Sequence, residues 1–332
     1  MQGSARTRSD TPSFWWLVAL STLTVLVAGA VLVGLSRWWG GPVVAAGYIA
    51  LMFLAPAVRT LGLVDMIKAT AWALLVCAGG VLIGAHGPWV LLVGVAVTAL
   101  VQGLFVVGGS AGLNRSSASL VGFAAFAETS SVDELWQPLV GVLVGATAVT
   151  VLGIVAFGSS TKHNVPAPLT ERLYYGVGLA AGSAVLTVLW TVFGWGGLGY
   201  ALLVFCLIYA FDSGKVLHNS AIRVAGAALG VGVSVLAALI LPTPLMIAAF
   251  VVCGILTLAN LLSHHEFWYV VFMVAAVVHL AEVRPGGSAI DSGTEHIVGV
   301  IVAAIVAVAL HAVTVPLHRL VIGAMDGPVA AR

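Results

Sequence analysis

The sequence predicts an all-α integral membrane protein with about twelve transmembrane helices, arranged as two tandem parallel six-helix repeats. Three observations carry that expectation. The 332 residues are 61% hydrophobic and only 8% charged, whereas roughly a quarter of a soluble domain is charged. Apolar runs of about 20 residues, enough to cross a hydrocarbon core of about 30 Å, recur along the whole chain. The chain also resembles itself at a shift of about 156 residues, a period that decides the fold before any local motif does. Trp39-Gly40-Gly41 falls on Trp195-Gly196-Gly197, Pro88 on Pro244, and Ala127-Glu128 on Ala281-Glu282.

Taken in order, a cytoplasmic tail at 1–13 precedes spans near 14–35, 42–56, 67–85, 88–109, 116–128 and 135–158, which form the first repeat, 14–158. A cytoplasmic linker at 159–172 leads to spans near 173–194, 198–211, 221–241, 244–262, 267–281 and 294–317, the second repeat, 173–317, and to a tail at 318–332. The second, fifth, eighth and eleventh spans are short. The first run is too long for a cleaved signal, and no small-residue cleavage site precedes a soluble domain. An even number of spans per repeat leaves both copies in one orientation, the parallel-repeat plan of many transporters. Glycine supplies 39 residues, and the pairs Gly141/Gly145, Gly226/Gly230 and Gly299/Ala303 have the spacing that lets membrane helices approach closely. The three cysteines, Cys77, Cys206 and Cys253, lie inside spans without metal-ligand spacing and read as packing residues.

Charge sets the orientation. With the N-terminus inside, eleven basic residues face the cytoplasm (Arg6, Arg8, Arg59, Lys68, Arg115, Lys162, Arg172, Lys215, Arg223, Arg319, Arg332) against two outside, Arg37 and Arg284. Both termini are therefore expected in the cytoplasm, and the bacterial inner membrane is the expected location. A net charge of +1 gives no reason for a nucleic-acid partner. No connecting segment is long enough for a soluble catalytic or nucleotide-binding domain, and neither a phosphate-binding G-x-x-x-x-G-K-[ST] nor an H-E-x-x-H is present. These features point away from an enzyme, and they imply no cofactor and no metal.

The best-defined motif opens the ninth span: Ile222-Arg223-Val224-Ala225-Gly226-Ala227-Ala228-Leu229-Gly230. It resembles the R-x-x-G-T-x-x-G helix start of the fusaric-acid-resistance-like family, which includes the aromatic acid exporters, with Ala227 in place of threonine. Thr294-Glu295-His296-Ile297-Val298-Gly299 is similar to the start of that family's last helix. In the first copy, Ile67-Lys68-Ala69-Thr70-Ala71 keeps the basic residue but not the glycine. The six-helix unit is also similar to that of plant malate-permeable anion channels, which act as dimers. The resemblance implies transport of organic or aromatic acids; many such exporters also carry a large cytoplasmic domain, and there this chain departs from the family pattern.

Lys68 and Arg223 occupy equivalent positions in the two copies, and Arg223, Gly226 and Gly230 share one helix face. Together they would make a substrate site for a carboxylate near helix N-termini, or a basic ring selective for anions. The competing reading is that both residues snorkel to the interface and fix topology. His279 lies deep in the eleventh span, and intramembrane ionisable residues suggest function by default; titration near neutral pH would suit proton coupling. Glu282 and Glu295, on the outer side, are its candidate proton partners, against the plainer reading of solvated loop charge. His311 is a further intramembrane histidine. His264-His265-Glu266 lacks a third ligand and the geometry for a metal. Trp15, Trp16, Trp38, Trp39, Trp89, Trp136, Trp195 and Trp268 fall at span ends, as an aromatic belt does. The expected function is export of small organic or aromatic carboxylate anions, with proton coupling as one option. A passive anion channel and a non-transporting scaffold in envelope synthesis are the alternatives, and a homo-oligomeric state stays open.

Overall fold

The computed structural model describes residues 12–39, 42–58, 61–84, 86–104, 132–158, 168–194, 197–209, 215–283 and 287–325, and all the regular structure in them is helical. Eleven α-helices are described: α1 Phe14–Trp39, α2 Pro42–Leu54, α3 Leu63–Gly84, α4 Pro88–Leu104, α5 Trp136–Phe157, α6 Leu169–Phe193, α7 Leu198–Ile208, α8 Val216–Ile240, α9 Thr243–Leu262, α10 Glu266–Val283 and α11 Ala289–Met325. The span expected at 116–128 and most of the linker lie outside the described residues.

Among the described residues seven stretches are long and apolar enough to cross a membrane: Phe14–Trp38, Leu63–Gly84, Trp136–Phe157, Leu169–Phe193, Val216–Ile240, Thr243–Leu262 and Ala289–Thr314. Pro42–Leu51, Pro88–Leu104 and Leu198–Ile208 are shorter apolar segments. Leu23, Val27, Leu75, Val233, Leu236 and Leu239 point outward, as they would toward lipid. The chain is an all-helical, multi-pass membrane protein. Several helices start earlier than hydropathy alone placed them. α3 takes in Asp65, α8 takes in His218 and Asn219, and α11 takes in Asp291. Polar residues in the first turn lower the mean apolarity of a window without weakening the helix, and an acidic residue there favours it.

Small residues set which helices meet. A Cβ on Gly141 would lie 3.0 Å from the Gly47 nitrogen and 3.1 Å from the Ala46 Cβ. Gly145 backs onto the same stretch, so α5 lies directly on the backbone of α2. The crossing of α4 with α6 is glycine on glycine: a Cβ on Gly103 would lie 2.6 Å from the Gly176 nitrogen. There Arg172 Nη1 donates to the carbonyl of Leu104, 3.1 Å away, at the last residue of α4. Such a bond satisfies a carbonyl that a helix end leaves without an intrahelical partner.

Around these crossings, α5 packs on α1, α2 and α3, while α11 packs on α6, α7 and α8. The two groups meet where α4 crosses α6 and where α1 runs along α9. The short α7 and the central α10 have almost no outer face. Leu202, Phe205 and Ile208 of α7 are fully buried, as are Tyr269, Val270, Val271 and the run from Met273 to His279 in α10. A helix apolar all round is one enclosed by other helices.

Candidate functional site

The buried arginine and histidine side chains, Arg223, His279 and His296, lie on α8, α10 and α11. Helix α8 presents Arg223, Gly226, Ala227, Gly230 and Ser234 on its buried face. Gly226 meets Val270 of α10, where a Cβ would be 2.9 Å away, and Gly230 meets the carbonyl of Val271 at 2.6 Å. One turn further, Ser234 Oγ donates to the Ala275 carbonyl at 3.5 Å. The two glycines therefore let α8 close on α10, and that approach carries the Arg223 side chain over the ring of Tyr269. The guanidinium carbon lies 5.3 Å from the ring centroid, and the two side chains are also hydrogen-bonded. Arg223 is 7% exposed and is the one buried Lys or Arg among the described residues. A guanidinium stays charged even where it is buried, and it stacks on an aromatic face while keeping in-plane donors.

Lys68, which the sequence comparison paired with Arg223, is placed differently. It is exposed, and Nζ pairs with Asp65 of its own helix at 3.0 Å. Helices α3 and α8 share no extensive packing among the described residues, so the structure does not bring the two basic residues into one direct site.

His279 of α10 is 3% exposed, and its Nδ1 has no hydrogen-bond partner among the described residues. Glu282, three residues on, accepts the backbone N–H of Ala289 at 2.7 Å. Its carboxylate thereby holds the first residue of α11, where a negative charge favours the helix start. Glu295 is exposed and its side chain lies beside Gly197, the residue preceding α7. Asp133 and Glu134 are exposed in a short turn before α5. His265 lies against the ring of Phe14, with ring centroids 5.7 Å apart. Glu128, Asp212, Arg59, Arg115, Arg284 and Lys162 lie outside the described residues.

Two groups in this region escaped the sequence reading. His296 of α11 is fully buried, and neither ring nitrogen has a hydrogen-bond partner among the described residues. Its ring lies 5.0 Å from that of Tyr200 on α7. The signal was present: His296, Gly299 and Ala303 stand at i, i+3 and i+7, the same face pattern that singles out Arg223, Gly226 and Gly230. Gly299 lies against Ala201, with contacts of 3.7 Å from a built Cβ. Tyr48 of α2 is the second. Its hydroxyl is buried without a hydrogen-bond partner among the described residues, and its ring lies 6.4 Å from Phe250 of α9.

No curated protein and no solved structure matches the chain. The model of the fusaric acid resistance protein-like family matches residues 183–310, the stretch that holds Tyr200, Arg223, Tyr269, His279 and His296, and it supports placing the chain with that family.

Proposed function

We propose that the chain is a bacterial inner-membrane transporter that exports organic or aromatic carboxylate anions, with Arg223 as the group that attracts the anion. The observation that carries this reading is a buried, permanently charged guanidinium held in the interior by a glycine seam, on the face opposite lipid. Taking a cation out of water is costly, and intramembrane charges mark substrate or ion routes. An interface anchor would instead reach outward, as Lys68 does. The family resemblance over residues 183–310 supports transport as the class of activity.

The same reading takes the chain as twelve spans in two tandem six-helix units, with both termini in the cytoplasm. Its support is the pairing of contacts. The packing of α5 on α1, α2 and α3 is repeated by α11 on α6, α7 and α8. The contact of α4 with α6 has its counterpart in α9 with α1, as a two-fold relation between the units requires. The departures, Lys68 for Arg223 and Pro138 where the second unit has His296, favour the second unit as the source of the charged and titratable groups of the route.

The test is benzoate flux in vesicles at matched protein abundance. Arg223→Gln should lower flux by about tenfold or more, the factor that about 1.4 kcal/mol of lost interaction gives. Arg223→Lys should lose less, because it keeps the charge and loses the planar fork. Unchanged flux in Arg223→Gln would make the residue an anchor and remove this reading.

A further inference from the structure

Arg223 and His296 stand at the same depth in their helices, each the eighth residue, but in helices that run in opposite directions. Val216 begins α8 at one face of the bundle. The alternation through α9 and α10 brings Ala289, the start of α11, to the other face. Seven residues of helix rise make about 10 Å, so the two side chains lie about two turns in from opposite sides. Three tyrosines accompany them: Tyr269 lies under the Arg223 guanidinium, Tyr200 lies beside the His296 ring, and Tyr48 of α2 has a buried hydroxyl without a hydrogen-bond partner among the described residues.

We propose that these five residues are one route, and that His296 is a second contact for the carboxylate, at the opposite end from Arg223. This rests on the transport reading above and adds the place where the anion is held before release. A neutral imidazole carries one N–H donor and one acceptor nitrogen. Burying both without partners is costly, and buried polar groups are almost always satisfied. A carboxylate oxygen takes a hydrogen bond from the N–H, and a hydroxyl on the same molecule or water gives one to the other nitrogen. Tyr200 fixes the ring from one side, as Tyr269 fixes the guanidinium. Tyr48 comes from the first unit, on the short helix that α5 presses inward, and its hydroxyl can both donate to and accept from a passing polar group. Small acids with a carboxylate at one end and an aromatic body fit a line of tyrosine rings and hydroxyls better than an inorganic anion does.

The structural alternative is that His296 only fills space, and two substitutions separate the readings. His296→Phe keeps a flat ring of similar size and removes both polar atoms. If His296 is a packing residue, this variant should be more thermostable and should export benzoate as the wild type does. If it is a contact, thermostability should hold or rise while flux falls about tenfold, and His296→Gln should recover part of it through its amide. Tyr48→Phe, which removes one buried hydroxyl, should lower flux several-fold with no loss of fold. A readout independent of flux is the 15N spectrum of histidine-labelled protein in lipid nanodiscs. The His296 resonance, assigned by its absence from His296→Phe, should move on adding benzoate and stay fixed on adding chloride at equal ionic strength. Wild-type flux with an unaffected His296→Phe overturns the route and leaves the transport reading standing. No flux in any protein overturns the transport reading. The site is then retained if the His296 resonance moves with benzoate and rejected if it does not.

Discussion

At the residue scale, what separates Arg223 from Lys68 is the company each keeps. Sequence places both as basic residues near the start of a span. Only the structure shows one over an aromatic ring inside the bundle and the other in an exposed pair with Asp65. Spacing could identify the shared face of Arg223, Gly226 and Gly230, since that depends on one helix alone. It could not show which helix α8 would meet, so Tyr269 stayed hidden. Lys68→Ala should therefore leave benzoate flux within about twofold of wild type, because an exposed ion pair contributes little. A loss as deep as that of Arg223→Gln would restore the symmetric basic ring. His279 belongs to the same scale. Its burial and an Nδ1 without a hydrogen-bond partner among the described residues fit a coupling residue, while Glu282, a candidate proton partner, accepts the N–H of Ala289 with one carboxylate oxygen. His279→Ala should remove the dependence of flux on a pH gradient while benzoate binding survives. Equal sensitivity of wild type and variant to collapse of the gradient would return His279 to packing.

At the element scale, the described glycines divide into those where a Cβ would collide with a neighbour and those that face open space. Within α8, a Cβ on Gly230 would lie 2.6 Å from the carbonyl of Val271, whereas one on Gly232 meets nothing within 4 Å. Gly230→Ala must push α8 off α10, and overpacking of this kind costs about 1–3 kcal/mol. Gly232→Ala removes only chain freedom and should be neutral or slightly stabilising. A thermal melt in detergent should show the first variant well below wild type and the second at or above it. Because the same seam carries Arg223 to Tyr269, Gly230→Ala should also lose flux. Matched melting of the two variants would mean that the seam does not set the helix approach. The small-residue spacing at Gly141/Gly145, Gly226/Gly230 and Gly299/Ala303 was legible in the sequence, since it depends on local order alone. Their partners were not: α2 for the first, α10 for the second and α7 for the third are choices of tertiary packing. Helix starts were misjudged for a related reason. Asp65, His218 and Asp291 look like loop in a hydropathy window, yet polar first turns are ordinary where a span reaches the headgroups.

At the scale of the whole molecule, the proposed plan rests on period and charge, two independent features of the sequence. On the tandem-repeat reading proposed above each unit has an even number of spans, and the paired contacts of α5 and α11 accord with it. The distribution of basic residues then favours one of two orientations, the expectation being that both termini and the 159–172 linker are cytoplasmic and the segment 129–134 is outside. An odd number of spans in the first unit would invert the second, placing Arg172, Lys215 and Arg223 on the side away from Arg6 and Arg8. A cysteine introduced at Ser131 distinguishes these plans, after replacement of Cys77, Cys206 and Cys253 to clear the background. Cys77 and Cys206 are buried and Cys253 is partly so, all within helices. An impermeant maleimide should label Ser131→Cys in intact cells and should label Asn164→Cys, in the linker, only after the membrane is opened. Labelling of both sites in intact cells would put an even number of crossings between them and break the six-span unit. Labelling of Asn164→Cys alone would keep the unit and turn the molecule over. That second result would also reverse the direction assigned to the route, with His296 at the cytoplasmic end and Arg223 facing out. The five residues along the route would still be the same, so the flux variants and the topology labels test separable claims.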